Sequence, residues 1–240
     1  MSLINTIACG DCREILPTLP AKSFQLAFAD PPYWVGFDYG EKTDKEMDYI
    51  EPNWLVNELC RVAEFVMITP GQRAEYDYPR PKWKAVWHKP GAMGVNGFGG
   101  ASNFEFILCY GKGKLDNDYF RAPIVNEPDA SFHNCPKPIK LLLQIISWTT
   151  RTGEPVIDPF SGSGTTCKAA YQLHRPYLGI EKDPKNVELS LIRLNNSQPP
   201  LPAVGGLTQR AADGYAASQQ AQLFTAGEQP AKVSGKSRRR

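Results

Sequence analysis

The tetrapeptide Asp30-Pro31-Pro32-Tyr33 closes the apolar run 25–29 and gathers a carboxylate, an acceptor-only backbone and an aromatic ring. Those groups suit the activation of an aromatic amine. The exocyclic amine of adenine or cytosine is a poor nucleophile because its lone pair is delocalised into the ring. Asp30 can accept one of its N–H groups, and the Pro31 carbonyl offers a second, rigid acceptor because proline fixes φ and donates nothing. Two acceptors on one NH2 favour a tetrahedral nitrogen with its lone pair out of the base plane, which is stabilisation aimed at the reacting geometry. Tyr33 would hold the base by stacking, worth about 1–3 kcal/mol whichever base is present. The same residues also suit a capped turn at a strand end.

A second segment narrows the choice. Asp158-Pro159-Phe160-Ser161-Gly162-Ser163-Gly164-Thr165-Thr166 follows a short β run, 155–157, and opens a helix-compatible stretch, 167–174. Glycines at a strand-to-helix turn allow close ligand approach, and the N–H groups of a helix start favour negative charge. A carboxylate-bearing, nucleotide-like cofactor fits there. A phosphate-binding loop does not, since Thr165 follows Gly164 and the lysine, Lys168, comes four residues later.

With D-P-P-Y followed by D-P-F-S-G-S-G-T-T, the chain resembles the β class of S-adenosylmethionine-dependent DNA amino-methyltransferases, in which the catalytic motif precedes the cofactor loop. The resemblance covers residues 3 to about 195 and implies further roles. Gly10-Asp11-Cys12 is similar to the segment whose acid, here Asp11, contacts the cofactor's adenine. His133-Asn134-Cys135-Pro136-Lys137-Pro138 is similar to an H-x-x-x-K-P element near the cofactor's methionine end, and Tyr177-Leu178-Gly179-Ile180-Glu181 to a strand whose terminal acid binds the ribose hydroxyls. The implied cofactor set is therefore Asp11, Cys12, His133, Lys137, Asp158, Phe160, Ser161, Gly162, Ser163, Gly164, Thr165, Thr166 and Glu181. The implied catalytic set is Asp30, Pro31, Pro32 and Tyr33. Asp11 could instead close a turn, His133 and Lys137 could be solvated or packed, and Phe160 could simply underlie the loop.

The elements that must position these residues alternate. Strands are expected at 6–9, 25–30, 64–69, 84–88, 104–110, 156–158 and 177–181, with helices near 44–63, 137–149, 165–174 and 184–194. This predicts an α/β, Rossmann-like fold with a mostly parallel twisted sheet, helices on both faces and a circularly permuted motif order. Ligands of such sheets sit beyond the carboxyl ends of the strands, where Asp30 and Asp158 both fall, so motifs 128 positions apart can meet. The loop 94–100 is either a wall of the base pocket or a long hairpin connection. By family position, 111–132 is a short target-recognition insertion; Asn117, Arg121 and Asn126 suit base edges or solvent equally.

The 240 residues, 42% hydrophobic, suffice for one catalytic domain over 1–195. With no apolar run near about 18 residues and no signal-like start, the chain reads as a soluble cytoplasmic protein of a bacterial cell or phage-infected host. Six scattered cysteines lack the paired spacing of a structural zinc site and are expected to be reduced, with no metal. The net charge of +2 divides into +4 from residue 196 onward and −2 before it. DNA contact therefore needs local clusters such as Lys82, Lys84, His88 and Lys89, or Lys112 and Lys114. Residues 196–240 read as a disordered basic tail in which Gln220-Ala221-Gln222-Leu223-Phe224 resembles a sliding-clamp docking peptide. The resemblance also admits a homodimer.

The expected activity is methyl transfer from S-adenosylmethionine to adenine N6 in DNA, with the base flipped out. Cytosine N4 is the close alternative, although Asp30 resembles the adenine enzymes more than the Ser-Pro-Pro pattern of the cytosine group. A catalytically silent DNA-binding or clamp-tethered module, and an RNA or protein amide methyltransferase, are the readings from other classes.

Overall fold

The computed structural model describes residues 4–33, 49–92, 94–124 and 136–197. Its centre is an eight-stranded sheet whose order is β1 (Thr6–Cys9), β10 (Tyr177–Glu181), β9 (Val156–Asp158), β2 (Phe24–Ala29), β3 (Ala63–Ile68), β7 (Phe104–Gly111), β4 (Trp83–His88) and β8 (Tyr119–Arg121). Five neighbouring pairs are parallel, and β7 runs antiparallel to both β3 and β4. The inner strands β2 and β3 read as nearly continuous apolar runs, interrupted by Gln25 and Glu64, because both faces are covered. A separate two-stranded ribbon, β5 (Gly94–Val95) with β6 (Ala101–Ser102), occupies the loop 94–100 and resolves it as a hairpin connection.

The helices are α1 (Cys12–Ile15), α2 (Pro52–Val62), α3 (Gly71–Ala74), α4 (Ile139–Thr149), α5 (Thr165–Gln172) and α6 (Pro184–Asn195). No helix among the described residues is long and apolar enough to cross a membrane. Local chemistry sets their limits. Pro52 starts α2, and the Glu51 carboxylate caps it by accepting from Asn53 N at 2.9 Å and Trp54 N at 2.6 Å. Leu55, Val56, Leu59 and Val62 then form the buried stripe. The following residue, Ala63, already belongs to β3; of the helix expected over 44–63, residues 44–48 lie outside the described residues, and the described helix spans 52–62, ending one residue before the expected limit. Asp183 and Pro184 open α6 in the same way.

The sequence reading missed β8, the β5–β6 ribbon, α1 and α3, all of which are short. It also missed Arg175, which is buried and joins the end of α5 to the end of α4. Its guanidinium donates to Leu173 O at 2.6 Å, Thr150 O at 2.8 Å and the hydroxyls of Thr150 and Thr152 at 3.1 and 3.2 Å. Arg175→Met would leave two buried carbonyls without these donors. We expect it to lower unfolding stability by at least about 2 kcal/mol in urea titrations.

Candidate active site

The sheet changes direction of travel between β2 and β9. From β2 the chain proceeds outward to β3, while from β9 it proceeds the other way to β10. The two strands pair in parallel, Leu26 with Val156 and Ala27 with Ile157. Asp30 follows the last residue of β2 and Asp158 is the last of β9, so the two motifs flank one crevice at a topological switch point.

Around Asp30 the geometry is dense. Its Oδ1 accepts from Tyr33 Oη at 2.6 Å, from Thr69 Oγ1 at 2.7 Å and from Lys137 Nζ at 2.8 Å. Among the described residues all three donors converge on Oδ1, which leaves Oδ2 as the acceptor for an incoming N–H. Glu105, a buried acid within the apolar strand β7, places Oε1 3.2 Å from Tyr33 Oη and 3.6 Å from Lys137 Nζ, and Oε2 3.4 Å from Lys89 Nζ. Two buried acids are thus balanced by two lysines. Burial, followed by the nearby Asp30 and Glu105 charges, pushes the Tyr33 phenol well above its ordinary pKa and keeps it a proton donor.

Tyr33 owes its place to Gly71. A Cβ on Gly71, whose φ is +73°, would lie 2.9 Å from Tyr33 Cγ and Cδ2, so the ring lies against bare backbone. Lys137 Nζ stands 2.7 Å from Tyr33 Oη and 5.4 Å from the ring centroid, which puts it beyond the hydroxyl rather than over a face.

On the other side of the crevice, Asp158 Oδ1 accepts from Phe160 N at 2.9 Å. Burial pushes its carboxyl up to about 7, against the opposing pull of the Thr166 and Phe160 hydrogen bonds. Glu181 accepts from Gly162 N and Asp183 N, both at 2.9 Å. Helix α6 clamps the loop: Ser190 Oγ donates to Gly162 O at 2.6 Å, and Arg193 donates to Ser163 O, Ser163 Oγ and Thr165 Oγ1 at 3.0–3.1 Å. Asp11 caps α1 through Arg13 N, and the Arg13 guanidinium and Lys182 hold its carboxyl well below the usual carboxylate range. The strand register sets Cys9 beside Glu181, so Asp11 and Glu181 end neighbouring strands.

These residues fit S-adenosylmethionine. Ser161 Oγ is buried with no partner among the described residues, so the loop holds a polar group that a ligand can satisfy. The Glu181 carboxylate offers acceptors for ribose hydroxyls at a strand end, and the loop leads into the N-terminus of the eight-residue helix α5.

The structure places several of the expected residues. The Cys12 thiol packs in the core, where burial pushes it up to about 12. Lys137 forms an ion pair with Asp30. Gly164 has a φ of +74°, and a Cβ there would come within 3.1 Å of Ser190 Cβ. Phe160 packs against the core, Thr165 and Thr166 are buried, and Pro31 and Pro32 lie between Asp30 and Tyr33 at the crevice edge. His133, Asn126 and the segment 220–224 lie outside the described residues.

The proposed DNA-contact lysines are largely committed: Lys89 to Glu105, and Lys84 to Glu75 at 3.4 Å. The start of the expected recognition insertion, including Asn117, lines a groove of about 510 Å³ with Trp83 and Gly111. The antiparallel run of β7 puts that groove at the opposite end of the sheet from Asp30. Strand β8 then returns the chain to the active-site end, where Arg121 is exposed beside His88. Sequence reasoning passed over Glu105, Thr69 and Gly71. The one available signal was the lone acid inside 104–110.

A family model described as DNA methylase, of the N6/N4 type, matches residues 117–191. The chain is 25% identical over 252 residues to the type II methyltransferase M.HinfI of Haemophilus influenzae, covering 82% of this chain and 70% of that one. Among solved structures it is similar to the M1.HpyAVI–SAM complex, with a TM-score of 0.55 at 23% identity over 78% of this chain and 98% of that chain. It is also similar to the cytosine-N4-specific PvuII DNA methyltransferase, with a TM-score of 0.57 at 15% identity over 92% and 93% of the two chains. These structural likenesses speak to the fold.

The raised pKa of Asp158 has a measurable sign. A folded carboxyl that titrates near 7 binds its proton more tightly than in the unfolded chain, whose value is near 3.8, so stability falls as pH rises between these two values and is level above them. Asp158→Asn should therefore flatten the melting temperature across pH 4–7 and raise it at pH 8, as read by thermal denaturation.

Proposed function

We propose that the chain is an S-adenosylmethionine-dependent DNA amino-methyltransferase, as its similarity to such enzymes supports, and that its substrate is the N6 amine of an adenine extruded from duplex DNA. The observation that carries this reading is the fixed Asp30 carboxylate, whose Oδ1 accepts from Tyr33, Thr69 and Lys137 while Oδ2 takes none of these bonds. An acid at the first position of the tetrapeptide resembles the adenine group, whereas the cytosine group carries serine.

The residues divide the work. Asp30 Oδ2 and the Pro31 carbonyl accept the two N–H groups, which frees the amine lone pair for attack. Tyr33, locked by its hydroxyl and by Gly71 behind one face, presents the remaining face to the base. Glu181, Asp11 and Ser161 hold the ribose, adenine and polar edge of the cofactor, which supplies a sulfonium methyl as electrophile. As the nitrogen forms its bond to the methyl carbon and the carbon–sulfur bond breaks, positive charge develops on nitrogen next to Asp30, which stabilises it until a proton leaves to solvent. The extrusion of the base costs a few kcal/mol, offset by stacking on Tyr33.

Asp30→Ala should reduce methyl incorporation at least about 100-fold while changing cofactor affinity little. Glu181→Ala should weaken S-adenosylmethionine binding in calorimetric titration with Asp30 intact. Long-read sequencing of DNA from an expressing host identifies the base: N6-methyladenine at a defined site is expected, and N4-methylcytosine there would overturn the choice of adenine. Near-normal turnover by the Asp30→Ala enzyme would remove the proposed mechanism.

A further inference from the structure

The β5–β6 ribbon leaves the sheet between β4 and β7, at the end that carries Asp30. At its tip Phe98 is fully exposed, between Gly97 and Gly99, and no neighbour packs on it. Val95 on the same ribbon is also exposed, so the ribbon offers two apolar side chains to solvent.

The tip is organised in advance. Asn96 Oδ1 accepts from Phe98 N at 2.9 Å and Gly100 N at 3.1 Å, and its amide donates to Ala101 O at 3.2 Å. The backbone adds Asn96 N to Gly100 O at 2.8 Å and Gly99 N to Asn96 O at 3.1 Å. The root is tied to the active site. Gln72, one residue after Gly71, donates to Ser102 Oγ and to Phe104 O, and Lys89 N donates to Asn103 O at 2.7 Å. Lys89 and Glu105, on either side of that root, belong to the charge cluster around Asp30 and Tyr33.

Each strand of the ribbon is two residues long, and the turn between Asn96 and Gly100 carries Phe98 beyond them. A two-stranded ribbon fits the DNA major groove, which is about 12 Å wide. Residues 91–104 carry no charged side chain, so no acid in the ribbon repels phosphate, and its glycines let the backbone approach closely. Extruding a base leaves a gap in the stack, and apolar wedges, phenylalanine among them, are suited to hold such a step open.

We propose that the β5–β6 ribbon enters the duplex groove beside the target and that the Phe98 ring fills the stacking gap left by the extruded base. Phe98 is thus a positioning residue: it acts on the lifetime of the extruded state and touches neither the amine nor the cofactor. This rests on the reading of the site as one that acts on a flipped base.

The test compares full-length wild type, Phe98→Ala and Phe98→Trp on unmethylated, polymerase-amplified duplex DNA, using labelled S-adenosylmethionine. Phe98→Ala should lose at least tenfold in initial rate, and Phe98→Trp, which restores a flat ring, should stay within threefold of wild type. Melting temperature and cofactor affinity should be equal in all three, since Phe98 packs on nothing. A Phe98→Ala rate within twofold of wild type would overturn the proposal, as would equal deficits in the Ala and Trp variants. Wild-type protein that methylates no DNA would instead remove the underlying reading of the site.

Discussion

The short parallel pairing of β2 with β9, through Leu26–Val156 and Ala27–Ile157, is the seam on which everything else depends. One side of it carries the catalytic tetrapeptide and the other the glycine loop, and nothing local links them. Their carboxylates feel each other across the crevice, since Asp30 and Glu181 both add to the upward push on Asp158. Because the side-chain period of a strand is two, a slip of one residue in this register would exchange the faces of β2 or β9 and send Ile157 or Leu26 into the packing layer on the other side. Burial on both faces therefore fixes the distance between the two halves of the site.

The second constraint is charge. Asp30 and Glu105 are removed from most of the solvent, and a buried carboxylate persists only with paired, hydrogen-bonded partners. Lys137 and Lys89 supply the charges, while Tyr33 and Thr69 supply hydroxyl donors. The outcome is a carboxylate whose orientation is settled in advance, with one oxygen, Oδ1, held by all three donors. Such preorganisation is what makes a hydrogen-bond acceptor effective at the moment charge develops.

The seven expected strands and three of the four expected helices lie within a few residues of their places because their signals are local: apolar runs for burial, and Pro184 and the glycine loop for helix starts; the helix expected from 44 begins at Pro52 among the described residues. The two motifs were legible for the same reason. Glu105 was not, because its role depends on β7 entering the sheet antiparallel beside β3, a choice no window of sequence contains. Gly71 was silent because its neighbour, Tyr33, arrives from 38 positions away. Cys12 and Lys137 were assigned by motif position alone; their surroundings, core packing for the Cys12 thiol and the Asp30 ion pair for Lys137, come from packing that the motifs do not contain.

The outermost strand of the cofactor half, β1, comes from the start of the chain, but its partner β10 ends at Glu181. Asn5 N donates to Tyr177 O at 2.6 Å and Gly10 N to Glu181 O at 2.9 Å, across separations of more than 170 positions. Contacts of such sequence separation form late. On a ribosome adding roughly 5–20 residues per second, β1 must wait on the order of ten seconds for the strand it pairs with. During synthesis β2 and β3 can pair early, so the half that carries Asp30 takes shape first, and the half that carries Asp158 closes only when the last strand, β10, is delivered.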